Sequence, residues 1–272
     1  MVYSKRSFFG VSRIKINLAD NTFVLMNGNT IHGAQSFVPQ LRGEPLCYYH
    51  KSGPLGQIFA MAYQKNTDSN FGVIGLGIGS AAAYARKGQN WDFYEIDPLV
   101  KEIALHSKYF TFLRDCPVKY NIILGDGRLS IKKAPDNYYH LLILDVFSSD
   151  AIPVHVITRE ALQLYLKKVH VDGVLAFHIS NNHLNLEPVL HNLAQSLNLI
   201  SLVQYDMVDE KTAFENIPGK QSSIWLVMSR NPQDLGSLEH DPRWRPTQPG
   251  RHKNLLWTDD FSNIFSVLVW KK

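Results

Sequence analysis

The chain has few cysteines and no long apolar run. Its 272 residues include 2 cysteines, Cys47 and Cys116, too few for a disulfide framework and typical of a reducing compartment. No stretch approaches the roughly 18 consecutive apolar residues that indicate a membrane-spanning helix, and no signal-peptide core follows the first residues. The sequence therefore predicts a cytoplasmic protein with no membrane partner.

The sequence also lacks the patterns of several functional classes. The formal net charge is +4, but no block of lysine and arginine is interleaved with aromatic residues, so a nucleic-acid partner is not expected. No G-x-S-x-G motif is present, which argues against a serine hydrolase. The 11 histidines include His178 and His183, which lack metal-ligand spacing and are interpreted as structural, so no metal site is predicted.

Two patterns divide the chain. Strand-like alternation with an Asn-Gly turn at 27–28 predicts a small β-hairpin domain over residues 1–62. Over residues 63–272, apolar strands alternate with helical segments, which predicts an α/β domain with a mostly parallel sheet and an irregular C-terminal tail. Segment 80–86 is predicted as the first helix of this domain, and 261–268 as a packed C-terminal helix.

The most informative motif is a glycine-rich turn that follows an apolar strand, in residues 71–80 (FGVIGLGIGS). Gly75, Gly77 and Gly79 allow the backbone to turn sharply and to approach a ligand closely. The glycine spacing differs from the G-x-G-x-x-G fingerprint of dinucleotide-binding loops. An NAD-linked dehydrogenase is therefore the most distant of the functions that this motif allows.

Three carboxylates end three successive predicted strands. Glu95 lies about 20 residues beyond the glycine turn, where an acidic side chain accepts ribose hydroxyls. Asp126 and Asp145 end the next two strands, and Asp126 also suits the N-cap of the helix that follows it. Because the carboxyl ends of parallel strands meet at one edge of a sheet, all three are predicted to face one nucleoside-binding crevice. Asp145 ends a buried apolar run, where a charge is costly unless it is used.

The order and spacing of these motifs resemble the spermidine synthase (polyamine aminopropyltransferase) family. The similarity is greatest to the spermidine synthase-like branch whose members are often fused to membrane transporter segments, and it covers nearly the whole chain. The segments that carry it are 27–28 (NG), 32–35 (HGAQ), 75–79 (GLGIG), 95–97 (EID), 125–128 (GDGR), 145–150 (DVFSSD), 151–155 (AIPVH), 177–181 (FHISN) and 257–260 (WTDD).

The resemblance implies a fold and an activity. The fold is a class I methyltransferase-like (Rossmann-like) α/β domain with a seven-stranded, mostly parallel sheet behind the hairpin domain, often in a homodimer. The activity is transfer of an aminopropyl group from decarboxylated S-adenosylmethionine to a small-molecule amine, without a metal. Glu95 would hold the ribose hydroxyls and Asp126 the adenine amino group. The full set implied for the donor is Gly75, Gly77, Gly79, Glu95, Asp126, Gly127 and Gln35.

The chemistry of the acceptor points to further residues. An amine attacks a sulfonium-bound carbon only when it is unprotonated, so the site needs a carboxylate that binds the ammonium and takes its proton. Asp145 is the candidate catalytic residue for that role. Asp150 is a candidate for a second ammonium of a diamine, because carboxylates around a cleft attract cations. Tyr48 and Tyr49 either line the acceptor site or belong to the core of the hairpin domain.

Two departures from the family keep alternatives open. Ile78 stands where the family's glycine loop usually carries an aspartate for the donor's amino group. The acidic segment that usually follows the hairpin glutamine is replaced by 45–50 (PLCYYH). The donor is therefore either decarboxylated or intact S-adenosylmethionine. The alternative functions are an S-adenosylmethionine-dependent methyltransferase of a small nucleophile and a catalytically silent nucleoside-binding protein.

Overall fold

Two β-sheets organise the chain. The computed structural model describes residues 1–65, 69–146, 153–181, 183–208, 219–250 and 256–269. The smaller sheet is antiparallel and is formed in chain order by β1 (Tyr3–Ser7), β2 (Gly10–Asn17), β3 (Thr22–Asn27) and β4 (Thr30–Ser36). Asn27 pairs with Thr30 across the turn between β3 and β4, which confirms the hairpin predicted from the Asn-Gly pair.

Within the described residues, the larger sheet has eight strands. They are β5 (Asn70–Ile74), β6 (Asn90–Glu95), β7 (Tyr120–Leu124), β8 (Tyr139–Leu144), β9 (Val169–His178), β10 (Ile200–Asp206), β11 (Ser223–Ser229) and β12 (Arg245–Pro246). Their spatial order is β12-β10-β11-β9-β8-β5-β6-β7. Strands β5 to β9 pair in parallel, whereas β11 is antiparallel to both β9 and β10. The predicted methyltransferase-like, mostly parallel sheet is confirmed, and the two-residue β12 adds an eighth strand to the seven expected.

Both faces of the large sheet are buried, which explains its nearly continuous apolar strands. In β8, Leu141 and Ile143 belong to one apolar cluster, while Leu142 and Leu144 belong to another. Because successive side chains of a strand point to opposite faces, the two clusters cover opposite sides of the sheet. The five α-helices of the described residues are α1 (Pro54–Lys65), α2 (Pro98–Ala104), α3 (Gly127–Ile131), α4 (Arg159–Lys168) and α5 (Glu187–Ser196).

Helix α1 lies at the junction of the two expected domains. It packs against β11 and against the 3-10 helix Pro232–Leu238, and the expected boundary after residue 62 falls inside it. The division into two domains stays a prediction. Helix α1 has 12 residues, and none of the helices in the described part of the chain combines the length and apolar character that a membrane crossing requires.

Two predicted helices differ from the structure. The segment predicted as a helix over 80–86 is a short 3-10 helix, Ser80–Tyr84, because Gly79 precedes it in the left-handed region and Ala85 ends it in an extended conformation. The packed helix predicted over 261–268 is wrong, since the segment contains only the 3-10 helix Ile264–Val267 and Phe265 is 79% exposed. The backbone of segment 261–268 instead bonds to the segment before α5, where Asn185 N donates to the Val267 carbonyl at 2.8 Å.

Candidate active site

The glycine turn after β5 is a site of close backbone approach. Gly75, Gly77 and Gly79 have φ values of 101°, 52° and 81°, which L-residues with side chains rarely adopt. A Cβ atom on Gly75 would lie 1.8 Å from the Asp145 carbonyl oxygen, and one on Gly77 would lie 2.8 Å from the His32 carbonyl oxygen. The turn therefore needs glycine in order to pack between β4 and the end of β8.

The strand ends bring the predicted acids to one edge of the sheet. Asp145 N donates to the Ile74 carbonyl at 2.8 Å, and Gly75 N donates to the Tyr94 carbonyl at 2.8 Å. The next bond along this edge joins Gly125 N to the Glu95 carbonyl at 2.9 Å. Since neighbouring strands are about 4.8 Å apart, the edge presents, in spatial order, Asp145, Gly75, Glu95 and Asp126.

The Glu95 carboxylate is held against the glycine turn. Its Oε2 accepts a hydrogen bond from Leu76 N at 3.0 Å, and its Oε1 accepts one from Asp97 N at 2.8 Å. Glu95 is 8% exposed, and burial raises its pKa, an effect that the backbone amides oppose. A carboxylate has roughly four acceptor positions, so Glu95 keeps capacity for ribose hydroxyls.

Asp126 performs the capping role predicted for it and makes a second contact. Its Oδ1 accepts from Leu129 N at 2.8 Å at the start of α3, and its Oδ2 lies 2.8 Å from His155 Nε2. A Cβ atom on Gly127 would lie 2.3 Å from Ile74 Cγ2. Gly127 therefore allows α3 to pack directly on the end of β5, and this fixes Asp126 at the edge of the sheet.

The C-terminal segment is attached to α3 by a partly buried arginine. Arg128 donates to both carboxylate oxygens of Asp259, at 2.7 and 2.6 Å, and also to the His155 carbonyl at 2.8 Å. Hydrogen bonds from Arg128 lower the pKa of Asp259 to about 2. Thr158, the N-cap of α4, donates to Asp259 at 2.7 Å. Asp259, whose role the sequence left open, thus supports the loop that contacts Asp126.

Asp145 is a buried anion with two hydrogen-bond donors. Its side chain is 7% exposed, its Oδ1 lies 2.8 Å from His178 Nδ1, and its Oδ2 accepts from the Tyr49 hydroxyl. Burial by itself would raise the pKa of Asp145, but the charge and hydrogen bond of His178, with the Tyr49 bond, lower it below the ordinary value. Asp145 is therefore ionised at neutral pH.

The ring of His178 is stacked between two aromatic side chains. The Tyr48 ring lies 4.3 Å from it at an interplanar angle of 26°, and the Trp225 ring lies 4.8 Å from it at 18°. His178 Nε2 lies 2.7 Å from Ser180 Oγ. His178, predicted from the sequence to be a structural residue, contacts Asp145, and the spacing of the histidines did not indicate that contact. Its position in the sequence could have indicated the contact. His178 is the last residue of β9, Asp145 is the first residue after β8, and these two strands are parallel neighbours.

The remaining predicted site residues have different surroundings. Tyr49 is 4% exposed, and its carbonyl accepts from the Tyr84 hydroxyl at 2.6 Å. Gln35 is 1% exposed; its Nε2 donates to the Arg42 carbonyl at 2.7 Å, and its Oε1 accepts from Thr111 N at 2.7 Å. The bond with Thr111 attaches β4 to the segment before β7, and the expected contact of Gln35 with a donor stays a prediction.

Two further residues singled out in the sequence are Ile78, in the glycine turn, and Asp150, the candidate for a second ammonium. Ile78 is fully buried, and a Cβ atom on Gly33 would lie 2.7 Å from its Cγ1, so its side chain packs on β4 as part of the core. Asp150 lies outside the described residues. Within the described ranges, no three histidine, cysteine, aspartate or glutamate side chains are grouped so that they could hold a metal ion.

Two curated proteins match part of the sequence. A polyamine aminopropyltransferase from Vibrio vulnificus (strain CMCP6) is 36% identical over 108 residues, which cover 38% of this chain and 35% of the relative. An N-terminal histidine N-methyltransferase from Emericella nidulans is 34% identical over 119 residues, which cover 42% of this chain and 20% of the relative. The matches thus span about a third and a fifth of these relatives. No protein-family model matches the chain.

Solved structures match over most of the chain. The spermidine synthase from Thermotoga maritima has a TM-score of 0.59 at 15% identity and covers 85% of this chain and 72% of its own. A probable spermidine synthase from Corynebacterium glutamicum has a TM-score of 0.62 at 10% identity and covers 91% of each chain. A spermidine synthase in complex with the transition state analogue AdoDATO has a TM-score of 0.56 at 15% identity, covering 89% and 75%. The chain thus has the fold of the spermidine synthases and resembles in sequence, over part of its length, the polyamine aminopropyltransferases that its motifs indicate.

Proposed function

We propose that this chain is an aminopropyltransferase that moves the aminopropyl group of decarboxylated S-adenosylmethionine to a small-molecule amine. The observation that carries the proposal is the buried, ionised Asp145 at the edge of the sheet, beside the glycine turn. A buried carboxylate is costly unless a partner uses it, and an ammonium group is the complementary partner. Asp145 is accordingly the amine-binding residue.

The adenosyl part of the donor is assigned to the opposite end of the same edge. Glu95 offers acceptor positions to the ribose hydroxyls, and Asp126 offers Oδ2 to the adenine amino group in place of, or beside, His155. Ile96 and Leu129 are 44% and 59% exposed and follow the two acids closely in the chain. Exposed apolar side chains at these positions suit the flat faces of an adenine ring.

The reaction requires one proton to leave the acceptor. An ammonium bound to Asp145 loses a proton through the carboxylate to water, and the freed lone pair of nitrogen attacks the aminopropyl carbon next to the sulfonium sulfur. The new C–N bond forms as the C–S bond breaks, and its electron pair returns to sulfur, leaving 5′-methylthioadenosine. Tyr49 and His178 hold Asp145 in place during this step.

The remaining expectations belong to the same proposal. Asp150 would meet a second ammonium of a diamine, and Gln35 would lie near the donor. The free thiols Cys47 and Cys116 support a reducing location such as the cytoplasm. A homodimer is expected from the family resemblance alone.

The test separates the donor from the acceptor half of the site. Purified protein is incubated with decarboxylated S-adenosylmethionine and a panel of diamines, and 5′-methylthioadenosine is measured. We expect Asp145→Asn to abolish product formation while the affinity for 5′-methylthioadenosine, measured by calorimetry, stays within about threefold, because Asp145 is assigned to the amine. Unchanged turnover in Asp145→Asn would contradict the proposal.

A second candidate is an N-methyltransferase that uses intact S-adenosylmethionine. It is favoured by the sequence match to a histidine N-methyltransferase and by the apolar packing of Ile78 where the family carries an aspartate. The same assay distinguishes the two functions, since methyl transfer yields S-adenosylhomocysteine rather than 5′-methylthioadenosine. Absence of both products with every amine, together with binding of an adenosyl ligand, would instead support a silent nucleoside-binding protein.

A further inference from the structure

A line of hydrogen bonds connects the backbone of β11 to Asp145. The Ile224 N–H donates to Ser180 Oγ at 2.8 Å. Ser180 Oγ lies 2.7 Å from His178 Nε2, and on the other side of the ring Nδ1 lies 2.8 Å from Asp145 Oδ1. Both ring nitrogens and the serine hydroxyl are thereby engaged, and the line runs through the end of β9 into the proposed amine site.

The donor and acceptor chemistry of these groups fixes the directions of the two outer bonds and, for a neutral His178 ring, the direction of the bond between Ser180 and His178. A backbone amide only donates, and an ionised carboxylate only accepts. His178 Nδ1 therefore carries the proton that faces Asp145, and whenever the ring is neutral its Nε2 is an acceptor. In that state Ser180 accepts from Ile224 and donates its own proton to Nε2. One tautomer of His178 satisfies every group in the line.

The ring plane of His178 is fixed by packing as well as by hydrogen bonds. Tyr48 and Trp225 stack on its two faces, and Trp225 is its register partner on β11. The His178 side chain is only 3% exposed. Neither ring nitrogen is open to a substrate, so His178 has no lone pair with which to deprotonate an amine directly.

We infer that His178 is a positioning residue that holds Asp145 as an oriented anion for the amine, and that Ser180 sets the tautomer in which it does so. The inference rests on the proposed function, since it concerns the carboxylate assigned to the acceptor. Its physical basis is that a fixed N–H donor favours the charged form of a carboxylate and restrains its rotation. With Oδ1 bonded to His178, Oδ2, which accepts from Tyr49, is the carboxylate oxygen assigned to the acceptor.

The alternative is that the three side chains form a hydrolytic triad with Ser180 as nucleophile. The sequence of hydrogen bonds from Asp145 to His178 to Ser180 is that of such a triad. Here, however, the Ile224 amide occupies a lone pair of Ser180 Oγ, which opposes nucleophilic attack. We therefore assign Ser180 to positioning, and labelling by a fluorophosphonate would overturn that assignment.

Three variants test the inference in the full-length chain. His178→Phe keeps an aromatic ring between Tyr48 and Trp225 but removes both nitrogens, and His178→Asn restores a donor near the Nδ1 position. Ser180→Ala removes the group that holds Nε2. His183→Phe is the matched control, since His183 is exposed and lies in the following segment.

The first readout is the pH profile of kcat/KM, whose acid limb reports the titration of Asp145. Other titratable side chains also interact with Asp145, and in the described residues these are Tyr48, Tyr49, His32 and His178. We expect His178→Phe to lower kcat about 10- to 100-fold, the usual effect of losing a partner that orients a functional group. It should also move the acid limb of the profile to higher pH, while KM for the donor is unchanged. His178→Asn should recover part of both changes.

The second readout needs no turnover and separates this inference from the proposed function. In protein with 15N-labelled histidine, the NMR spectrum of His178 should show a protonated Nδ1 and an unprotonated Nε2, and Ser180→Ala should produce a mixture of tautomers. A protonated Nε2 in the unmodified protein would overturn the inference, as would a His178→Phe variant with an unchanged pH profile. If the unmodified chain shows no turnover but the expected tautomer, the proposed function fails and the positioning of Asp145 stands.

Discussion

Arg128 and Asp259 are 131 residues apart in the chain and are joined by two parallel hydrogen bonds of 2.7 and 2.6 Å. The pair connects the C-terminal segment to α3, whose N-cap is Asp126. Since Arg128 also donates to the His155 carbonyl, the same guanidinium fixes the loop that contacts Asp126. The WTDD segment at 257–260 therefore supports the end of the site to which the adenosyl group is assigned in the proposal.

Replacing Asp259 by asparagine should destabilise the fold and weaken donor binding. The Arg128 guanidinium bonds to both carboxylate oxygens of Asp259, whereas asparagine offers it only one acceptor oxygen. We therefore expect the free energy of unfolding at pH 7 to fall by about 1 kcal/mol. Urea unfolding measures the loss, and calorimetry with 5′-methylthioadenosine should show a several-fold weaker affinity. Asp260→Asn is the control, because Asp260 is the exposed neighbour. Equal unfolding midpoints for the two variants would contradict the prediction.

The contribution of Asp259 should depend on pH in a defined direction. Its folded-state pKa of about 2 lies below the ordinary value, so its stabilisation is present above pH 4 and is lost as pH falls towards 2. The difference in unfolding free energy between the unmodified chain and Asp259→Asn should therefore shrink over this range. A difference that stays constant from pH 5 to pH 2 would show that the ion pair contributes little, as is common for exposed pairs.

Tyr49→Phe tests the second donor to Asp145. The variant removes the hydroxyl that bonds to Oδ2 and should raise the pKa of Asp145, because that bond is one of the causes that lower it. We expect the free energy of unfolding to fall by about 1.5 to 3 kcal/mol at pH 7, the usual range for a hydrogen bond to a charged group. Because the pKa of Asp145 is lowered in the folded state, the loss should diminish as pH falls below the ordinary carboxyl value.

The control for this prediction is Tyr48→Phe, which keeps the ring that stacks on His178. Both variants are compared by urea unfolding at pH 7 and pH 4. If Tyr49→Phe is no less stable than Tyr48→Phe at pH 7, the Tyr49 bond does not stabilise the anion.

Gly75→Ala should be severely destabilising. The new Cβ atom would lie 1.8 Å from the Asp145 carbonyl oxygen, a backbone atom that cannot rotate away, and the φ value of 101° is unfavourable for alanine. We expect a loss of about 3 kcal/mol or more in unfolding free energy, from the sum of overpacking and backbone strain. Gly43→Ala is the control, as nothing lies within 4 Å of its Cβ position. A Gly75→Ala variant as stable as Gly43→Ala would refute the close approach of the turn to β8.

Glu95→Gln should weaken donor binding more than an exposed substitution does. The amide NH₂ of glutamine would face one of the two backbone N–H groups that now donate to the carboxylate, so one hydrogen bond is lost. We expect 5′-methylthioadenosine to bind about 5- to 150-fold more weakly, corresponding to 1 to 3 kcal/mol. Glu102→Gln on α2 is the control, since Glu102 is paired with Lys5 at the surface. Unchanged affinity in Glu95→Gln would remove Glu95 from the donor site.

Much of the fold and part of the candidate site could be predicted because their signals are local in sequence. The glycine turn, the cap formed by Asp126 and the Asn-Gly hairpin between β3 and β4 depend on residue type and short-range spacing. The meeting of Glu95 and Asp145 at one edge follows from the parallel order of strands. The C-terminal helix was mispredicted because its backbone bonds to the segment at 183–185.

The sequence by itself determined the class of sheet, the glycine turn and the acids at the strand ends, since periodicity and backbone sterics operate within a few residues of each position. Only the tertiary structure decided that His178 contacts Asp145, 33 residues away, and that Asp259 contacts Arg128, 131 residues away. The physical reason is that a hydrogen bond depends on the positions of its donor and acceptor in space, and those positions are set by the packing of β8, β9 and α3 in the folded chain.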